Sequence, residues 1–187
     1  MTEYEHLKTL VAVLVGLALS NLATSLHHLL RERHRVQWDW LAPCTALLSM
    51  LLMVRFWFDF YAFGRAAIFT WFGPVLLLLL TLLLVVLLAC SALPDGAGEL
   101  NLRRFYAEQS RYFWFVASSY VLVAMAWSLL LAPPQPLAER LLALIPDTVN
   151  VGVFLVLALR RSRRLHKLLV PLVCVYFLIG FASLHLQ

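Results

Sequence analysis

The sequence predicts an all-α fold: a polytopic membrane helical bundle of six transmembrane helices, with both termini outside, on the periplasmic side. Of the 187 residues, 63% are hydrophobic and only 13% are charged, whereas soluble domains carry about 25% charged residues. The apolar residues form six runs, each close to the roughly 20 residues that cross a bilayer. Lys and Arg concentrate in every second connection between these runs. A chain of this length predicts a single transmembrane domain, residues 1–187.

The first three predicted spans cover residues 7–30, 40–63 and 67–93. The first follows an acidic start and lacks a small-residue cleavage pattern, so we interpret it as a retained helix and not as a signal peptide. The second is apolar except for two charged residues near its end. The third is interrupted in its apolar stretch only by Thr81, and it is predicted to face lipid over much of its surface.

The last three predicted spans cover residues 112–132, 137–159 and 168–186. The fourth begins with aromatic residues of the kind that lie at a membrane interface. The fifth contains Pro146, which removes one helical hydrogen bond. The sixth follows the most basic connection of the chain. The sequence therefore predicts three hairpins of out–in–out topology.

Orientation is predicted from the positions of Lys and Arg. Of these 15 residues, 11 fall in the connections 31–39, 94–111 and 160–167. The positive-inside rule then predicts that these connections are cytoplasmic. We expect the protein to lie in the cell inner (plasma) membrane. The lipid bilayer is the predicted partner, with anionic lipids at the cytoplasmic arginines. Because the cations follow membrane topology, the net charge of +5 does not predict nucleic-acid binding.

A polar cluster is predicted in the outer half of the membrane, where the second span runs outward and the fifth runs inward. Its members are Arg55, Asp59, Asp147 and Asn150. A charge at membrane depth costs several kcal/mol unless it is paired or hydrated. Asp59 can pair with Arg55 along one helix, and Asp147 can pair with it from another. The cluster predicts either an outward-facing ion or proton site with Arg55 as its fixed charge, or a structural salt bridge between helices.

A polar stripe follows the first span in its cytoplasmic half. It comprises Ser20, Asn21, Thr24, Ser25 and His28. Such a stripe could line a hydrated path on which the histidine relays protons. Alternatively, its hydroxyl and amide groups hold helices together. Ser118, Ser119 and Tyr120 of the fourth span are the expected partners.

Other chemistry has little support in the sequence. No metal site, catalytic residue or cofactor is predicted, because no nucleophile elbow, HExxH motif or phosphate loop occurs. An enzyme is therefore not favoured, although an intramembrane enzyme remains open. Haem binding stays open as an alternative, since the axial pairs His6/His185 and His28/His166 are geometrically conceivable.

Several segments resemble small, poorly characterised bacterial six-helix inner-membrane proteins. They are the Gly16-Leu-Ala-Leu-Ser-Asn-Leu segment, the Arg-rich first connection, the Arg55-Phe-Trp-Phe-Asp-Phe-Tyr run, and Leu102-Arg-Arg-Phe-Tyr with Tyr112-Phe-Trp-Phe. This resemblance implies no activity. The size is also similar to that of prokaryotic relatives of lysosomal potassium channels, but the chain lacks their Phe-Ser-Asp motif in the first helix.

The most favoured function is an ion or proton channel or transporter that uses the outer Arg/Asp cluster. A homo-oligomer is expected, because six short helices with few polar residues leave little room for a pore within one chain. The first alternative is a non-transporting structural or sensory membrane subunit. The second is a haem- or quinone-binding membrane redox protein.

Overall fold

The computed structural model describes residues 3–64, 72–94, 101–131 and 136–184, and no β-strand occurs among them. Its helices are α1 (Glu3–Arg31), α2 (Leu41–Gly64), α3 (Phe72–Ala92), α4 (Leu102–Leu131), α5 (Leu137–Leu159) and α6 (Arg163–Leu184). All six are long and apolar enough to cross a membrane. The prediction of an all-α fold with six apolar helices, as in a multi-pass membrane protein, is therefore confirmed. The placement of both termini outside stays a prediction.

These segments are helical because an apolar segment in lipid must satisfy its own backbone N–H and C=O groups. α3 shows this most simply, since it consists largely of leucine and valine. Its Thr81 hydroxyl donates to the carbonyl oxygen of Leu77, four residues earlier, at 2.7 Å. A polar side chain is thus accommodated in an apolar helix without leaving an unsatisfied donor.

The helices pack around α2, which contacts α1, α3, α4 and α6. α5 packs against α4 and α6, and within the described chain it makes no close backbone approach to α2. Two fully buried aromatic side chains lie between α4 and α5: the ring centroids of Trp114 and Phe154 are 5.3 Å apart. The arrangement leaves a gap between α2 and α5 that α4 and α6 border. The charged cluster lies in this gap.

Three helices begin earlier than the sequence predicts, and α1, which starts at Glu3 and not at 7, is the first of them. α4 starts at Leu102 and not at 112, so the predicted loop 94–111 includes the first ten residues of a continuous helix. α6 starts at Arg163 and not at 168, which shortens the predicted loop 160–167. The reason is that helix ends are set by capping and not by hydropathy: the Arg104 N–H donates to Asn101 Oδ1 at 3.0 Å. The predicted start of the third span at 67 and the end of the sixth at 186 lie outside the described residues.

The starts of α2, α4 and α6 meet at one end of the bundle, which we call the basic end. Asn101, before α4, donates from its amide nitrogen to Gln37 Oε1 at 2.7 Å. The Leu102 N–H donates to the carbonyl oxygen of Gln37 at 3.1 Å. Arg163, at the start of α6, pairs with Asp39 at 2.6 Å. These bonds tie the connection before α2 to the first turns of α4 and α6.

Candidate functional site

Arg55 on α2 is the centre of a three-residue charged cluster. Its Nε lies 3.5 Å from Asp59 Oδ2 on the same helix, and its Nη2 lies 3.5 Å from Asp147 Oδ1 on α5. The guanidinium also lies over the Phe177 ring of α6, 6.0 Å from its centroid. From a helical rise of 1.5 Å per residue, Arg55 is about 21 Å from the start of α2. The predicted meeting of these three charges at one depth is what the structure shows.

Both ion pairs of Arg55 are loose. A direct bond between a charged nitrogen and a carboxylate is typically about 2.7–2.9 Å long, whereas these two distances are 3.5 Å. The side chains remain partly accessible, with exposed fractions of 34% for Arg55, 45% for Asp59 and 14% for Asp147. By contrast, the Arg163–Asp39 pair is 2.6 Å long, and its carboxylate is 4% exposed. The Arg55 cluster therefore differs from a tight structural salt bridge in the same molecule.

A cavity of about 80 Å³ adjoins the cluster. Arg55, Asp59 and Asp147 line it, together with residues of α3 and α4. This volume has room for about two water molecules. Water molecules in a protein interior need polar partners. The three charged side chains supply such partners. The cavity can thus hydrate the charges that the loose ion pairs leave incompletely satisfied.

The remaining cavity wall is polar at several points. Tyr120 donates its hydroxyl to the carbonyl oxygen of Leu52 at 3.1 Å, which links α4 to α2. Trp127 donates its indole N–H to the Thr81 hydroxyl at 3.2 Å, which links α4 to α3. Ser128, also in the wall, donates to the carbonyl oxygen of Ala124 at 3.2 Å. Hydroxyl oxygens from α3 and α4 therefore face the same space as the charges from α2 and α5.

Asn150 does not line this cavity, although it was predicted to belong to the cluster. It is buried, and its Nδ2 has no hydrogen-bond partner among the described residues. Asn150 lies three residues after Asp147, about 4.5 Å further along α5 and about 60° around the helix axis. The two residues thus share one side of α5, but the cavity ends before it reaches Asn150.

The polar stripe of α1 splits into two parts. Asn21 and Ser25 face the bundle: Ser25 is buried, and the Asn21 amide donates to Cys90 Sγ of α3 at 3.5 Å. Ser20, Thr24 and His28 are exposed on the surface of the described chain. The stripe does not reach the Arg55 cavity, because none of its residues lines that space.

The expected partners of the stripe on α4 are wrong. α1 packs against α2 and α3, and among the described residues it makes no contact with α4. Tyr120 instead donates to α2, and the buried Ser118 hydroxyl has no hydrogen-bond partner. In lipid both sides of a helix are apolar, so hydropathy does not indicate which side meets a neighbour.

A second polar group at the basic end was missed by the sequence reasoning. The Trp114 indole N–H donates to the Tyr106 hydroxyl oxygen at 3.2 Å, and that hydroxyl lies 2.7 Å from His166 Nδ1. His166 Nε2 lies 2.8 Å from the carbonyl oxygen of Arg160. A carbonyl only accepts, so Nε2 carries the hydrogen and Nδ1 accepts from Tyr106. Every polar atom of this buried chain of bonds then has a partner.

Asp39 belongs to the same region and was also missed. It is buried, pairs with Arg163, and accepts from the Leu41 N–H at 3.4 Å with its other oxygen. A signal was present in the sequence: an acidic residue two positions before a helix start is a helix-capping pattern. Its ion-pair partner, 124 residues later, carried no such local signal.

Of the two histidine pairs conceivable for haem, His28/His166 is not assembled among the described residues. His28 is exposed on α1, and both ring nitrogens of His166 on α6 are occupied by Tyr106 and Arg160. Among the described residues, α1 and α6 make no contact. His6 is exposed, and His185 lies outside the described residues.

Comparison with protein-family models, with curated proteins and with solved structures finds no match to this chain.

Proposed function

We propose that this integral membrane protein is a channel or transporter that moves protons or small ions through the cavity beside Arg55. The observation that carries the proposal is that the residues of two loose ion pairs, each 3.5 Å long, line a cavity of about 80 Å³. Ionisable residues inside membrane segments commonly mark ion or proton pathways. A purely structural pair would be expected to close tightly, as Arg163 and Asp39 do at 2.6 Å.

Each charged residue has a proposed role. Arg55 is a fixed positive charge that sets the charge selectivity of the cavity and attracts anions into it. Asp59 and Asp147 balance Arg55, and each is able to take up a proton. The hydroxyls of Thr81 and Tyr120 are the neutral groups that hold water against these charges. Asn150, deeper along α5, is the polar residue that would continue a path toward the basic end.

A second copy of the chain is part of the proposal. The exposed Ser20, Thr24 and His28 follow Gly16 at intervals of four residues, and a Cβ added at Gly16 would meet nothing within 4 Å. Small residues at this spacing on an apolar helix allow close packing of two membrane helices. We therefore propose that α1 is the oligomer contact. We also propose that the basic end lies in the cytoplasm of an inner membrane, where its arginines meet anionic lipids.

The test is ion flux into liposomes that contain the purified protein. A pH-sensitive dye inside the liposomes reports proton entry, and separate gradients of chloride, potassium and sodium identify other ions. In the double variant Arg55→Gln/Asp147→Asn we expect flux to fall to that of protein-free liposomes. The matched control is Arg104→Gln/Glu108→Gln, which removes an exposed i,i+4 ion pair at the basic end. Undiminished flux in the cavity double variant would contradict the proposed site.

The second candidate is a non-transporting structural or sensory subunit. It is favoured by the hydrogen bond from Tyr120 to the carbonyl oxygen of Leu52 and by the complete burial of Leu48 and Trp114, which lie nearer the starts of the same two helices. This candidate predicts no flux in any gradient and a loss of assembly in Arg55→Ala. Size-exclusion chromatography of that variant beside the flux assay separates the two functions.

A further inference from the structure

The basic end contains a second cavity, larger than the one beside Arg55 and separate from it. Its volume is about 380 Å³, within the range of roughly 300–1,000 Å³ that small-molecule sites occupy. Arg103, Arg161 and Arg163 line it, together with Asp39, Tyr106 and Ser110. The cavity thus combines three guanidinium groups with two hydroxyls and one carboxylate.

Among the described residues, the charges of this cavity are not balanced. Asp39 is the one carboxylate of the described lining, and it is already bound to Arg163 at 2.6 Å. In the part of the chain that the structure describes, neither Arg103 nor Arg161 has an ion pair or a side-chain hydrogen bond. Both side chains are exposed. The described lining therefore has an excess of two positive charges that face a common space.

The backbone adds to this positive potential. The lining residues come from, or directly precede, the first turns of α2, α4 and α6: Leu41 opens α2, Arg103 is the second residue of α4, and Arg163 opens α6. Each helix start carries about half a positive elementary charge and N–H groups that no helical carbonyl accepts from. Three such starts around one cavity favour an anion there.

The polar framework of the cavity is held by hydrogen bonds. His166 is bonded at both ring nitrogens, and Tyr106 is bonded to Trp114 and His166. Asn101 caps α4 next to Arg103 and is bonded to Gln37. Arg163 is paired with Asp39. Arg103 and Arg161, which have no such side-chain bonds among the described residues, thus line a preformed polar wall.

We propose that this cavity binds a phosphate-type oxyanion. Planar guanidinium groups form paired hydrogen bonds with phosphate oxygens, and lysine lacks this fork-shaped geometry. The phosphate belongs either to the headgroup of an anionic lipid or to a free phosphate-bearing solute, since both share this chemistry. The starts of three apolar helices place the cavity where a headgroup is within reach. The inference does not depend on whether the Arg55 cavity moves ions.

The test measures the thermal unfolding midpoint of the purified full-length protein in mild detergent. Inorganic phosphate is compared with chloride at the same ionic strength, and short-chain phosphatidic acid is compared with short-chain phosphatidylcholine. We expect phosphate groups to raise the midpoint of the unaltered protein. A rise with both phosphate probes shows that the site accepts the free anion, and a rise with phosphatidic acid alone assigns it to lipid headgroups. No rise with either probe would overturn the proposal.

Three variants distinguish this site from diffuse attraction of anions. Arg103→Gln/Arg161→Gln should weaken binding of the active phosphate probe roughly tenfold or more, since it removes two charged hydrogen-bond donors to the anion. Arg103→Lys/Arg161→Lys keeps the charge but loses the planar fork, so we also expect weaker binding. Arg164→Gln removes an exposed cation of the same helix turn outside the cavity. If Arg164→Gln lost as much phosphate binding as Arg103→Gln/Arg161→Gln, or if the lysine variant bound phosphate as well as the unaltered protein, the proposed arginine site would be wrong.

Discussion

Arg55 and Asp147 form an ion pair across a gap between two helices whose backbones do not approach each other within the described chain. Their charged atoms are 3.5 Å apart, yet no Cα of α2 lies within 8 Å of a Cα of α5 among the described residues. α4 and α6, which contact both helices, border the gap. The pair is therefore both a link between separated helices and part of the wall of a cavity. This double position makes the order of mutational effects informative.

Loss of Arg55 should destabilise the protein more than loss of either carboxylate. Arg55→Gln leaves Asp59 and Asp147 together without a cation, whereas Asp147→Asn leaves Arg55 with Asp59. Breaking a fully buried pair costs about 3–5 kcal/mol; because these side chains are partly exposed, we expect about 1–2 kcal/mol for Arg55→Gln after allowing for screening. Unfolding by denaturing detergent measures the order. A larger effect of Asp147→Asn than of Arg55→Gln would contradict this account.

Filling the cavity should stop flux without removing a charge. Ala124 lines the cavity, and leucine at this position would place an isobutyl group in the space available for water. We expect Ala124→Leu to abolish flux in the liposome assay while the protein stays folded, since a dry cavity offers the charges no hydration. Ala126→Leu adds the same group to the same helix outside the cavity lining and serves as the control. Normal flux in Ala124→Leu would show that ions do not pass through this space.

Removing the Tyr106 hydroxyl should leave two buried polar groups without their hydrogen-bond partner. In Tyr106→Phe the indole N–H of Trp114 loses its acceptor, and His166 Nδ1 loses its donor. An unsatisfied buried polar group costs about 1–3 kcal/mol, so we expect a loss of about 2–4 kcal/mol in the free energy of unfolding. Tyr112→Phe on the same helix alters an exposed tyrosine and should have little effect. Equal stability of the two variants would contradict the bonding pattern of this chain.

Asn101 should control the start of α4. Its side chain accepts from the Arg104 N–H at 3.0 Å, and replacing a capping asparagine by alanine costs about 0.5–2 kcal/mol. In Asn101→Ala we expect faster hydrogen–deuterium exchange in the first turn of α4, measured by mass spectrometry. Gln37→Ala removes the partner of Asn101 but keeps the cap, so exchange there should change less. Unaltered exchange in Asn101→Ala would show that this cap is not the cause of the early start of α4.

The orientation of the bundle can be tested by chemical labelling. Ser162 lies at the basic end and Pro136 at the opposite end, and both residues are exposed. We expect a membrane-impermeant maleimide to label Pro136→Cys in intact cells, because the basic connections are predicted to be cytoplasmic. Ser162→Cys should react only after lysis, and the unaltered protein reports any labelling of its own cysteines. The reverse pattern would invert the topology.

Much of the charged site follows from the sequence, because helix length and chain direction fix depth. Arg55, Asp59 and Asp147 were placed together by counting residues along α2 and α5, and the structure places them together. Asn150 was placed with them by the same argument but does not line the cavity, because the extent of a cavity depends on the packing of neighbouring helices and not on residue spacing along one of them. The walls of the cavity depend on which helices are neighbours. Thr81 and Trp127 therefore became site residues only in the folded structure.

The basic end was harder to predict for a different reason. Arginines in loops were interpreted as topology signals, which is their commonest role in membrane proteins. Asp39 and Arg163 are distant in sequence, and neither shows a pattern that identifies the other. The early start of α4 was not predicted, because the cap at Asn101 lies in a segment that hydropathy marks only as a connection.

The Asp39–Arg163 pair also has a consequence for synthesis of the protein. The two residues are 124 positions apart, so a ribosome working at about 5–20 residues per second makes the arginine roughly 6–25 s after the aspartate. During this interval the carboxylate of Asp39 has no Arg163 to bind. The start of α6 therefore completes a polar contact of the connection before α2 only after α2 to α5 have been made. A nascent chain that stops before α6 would keep Asp39 without this cation.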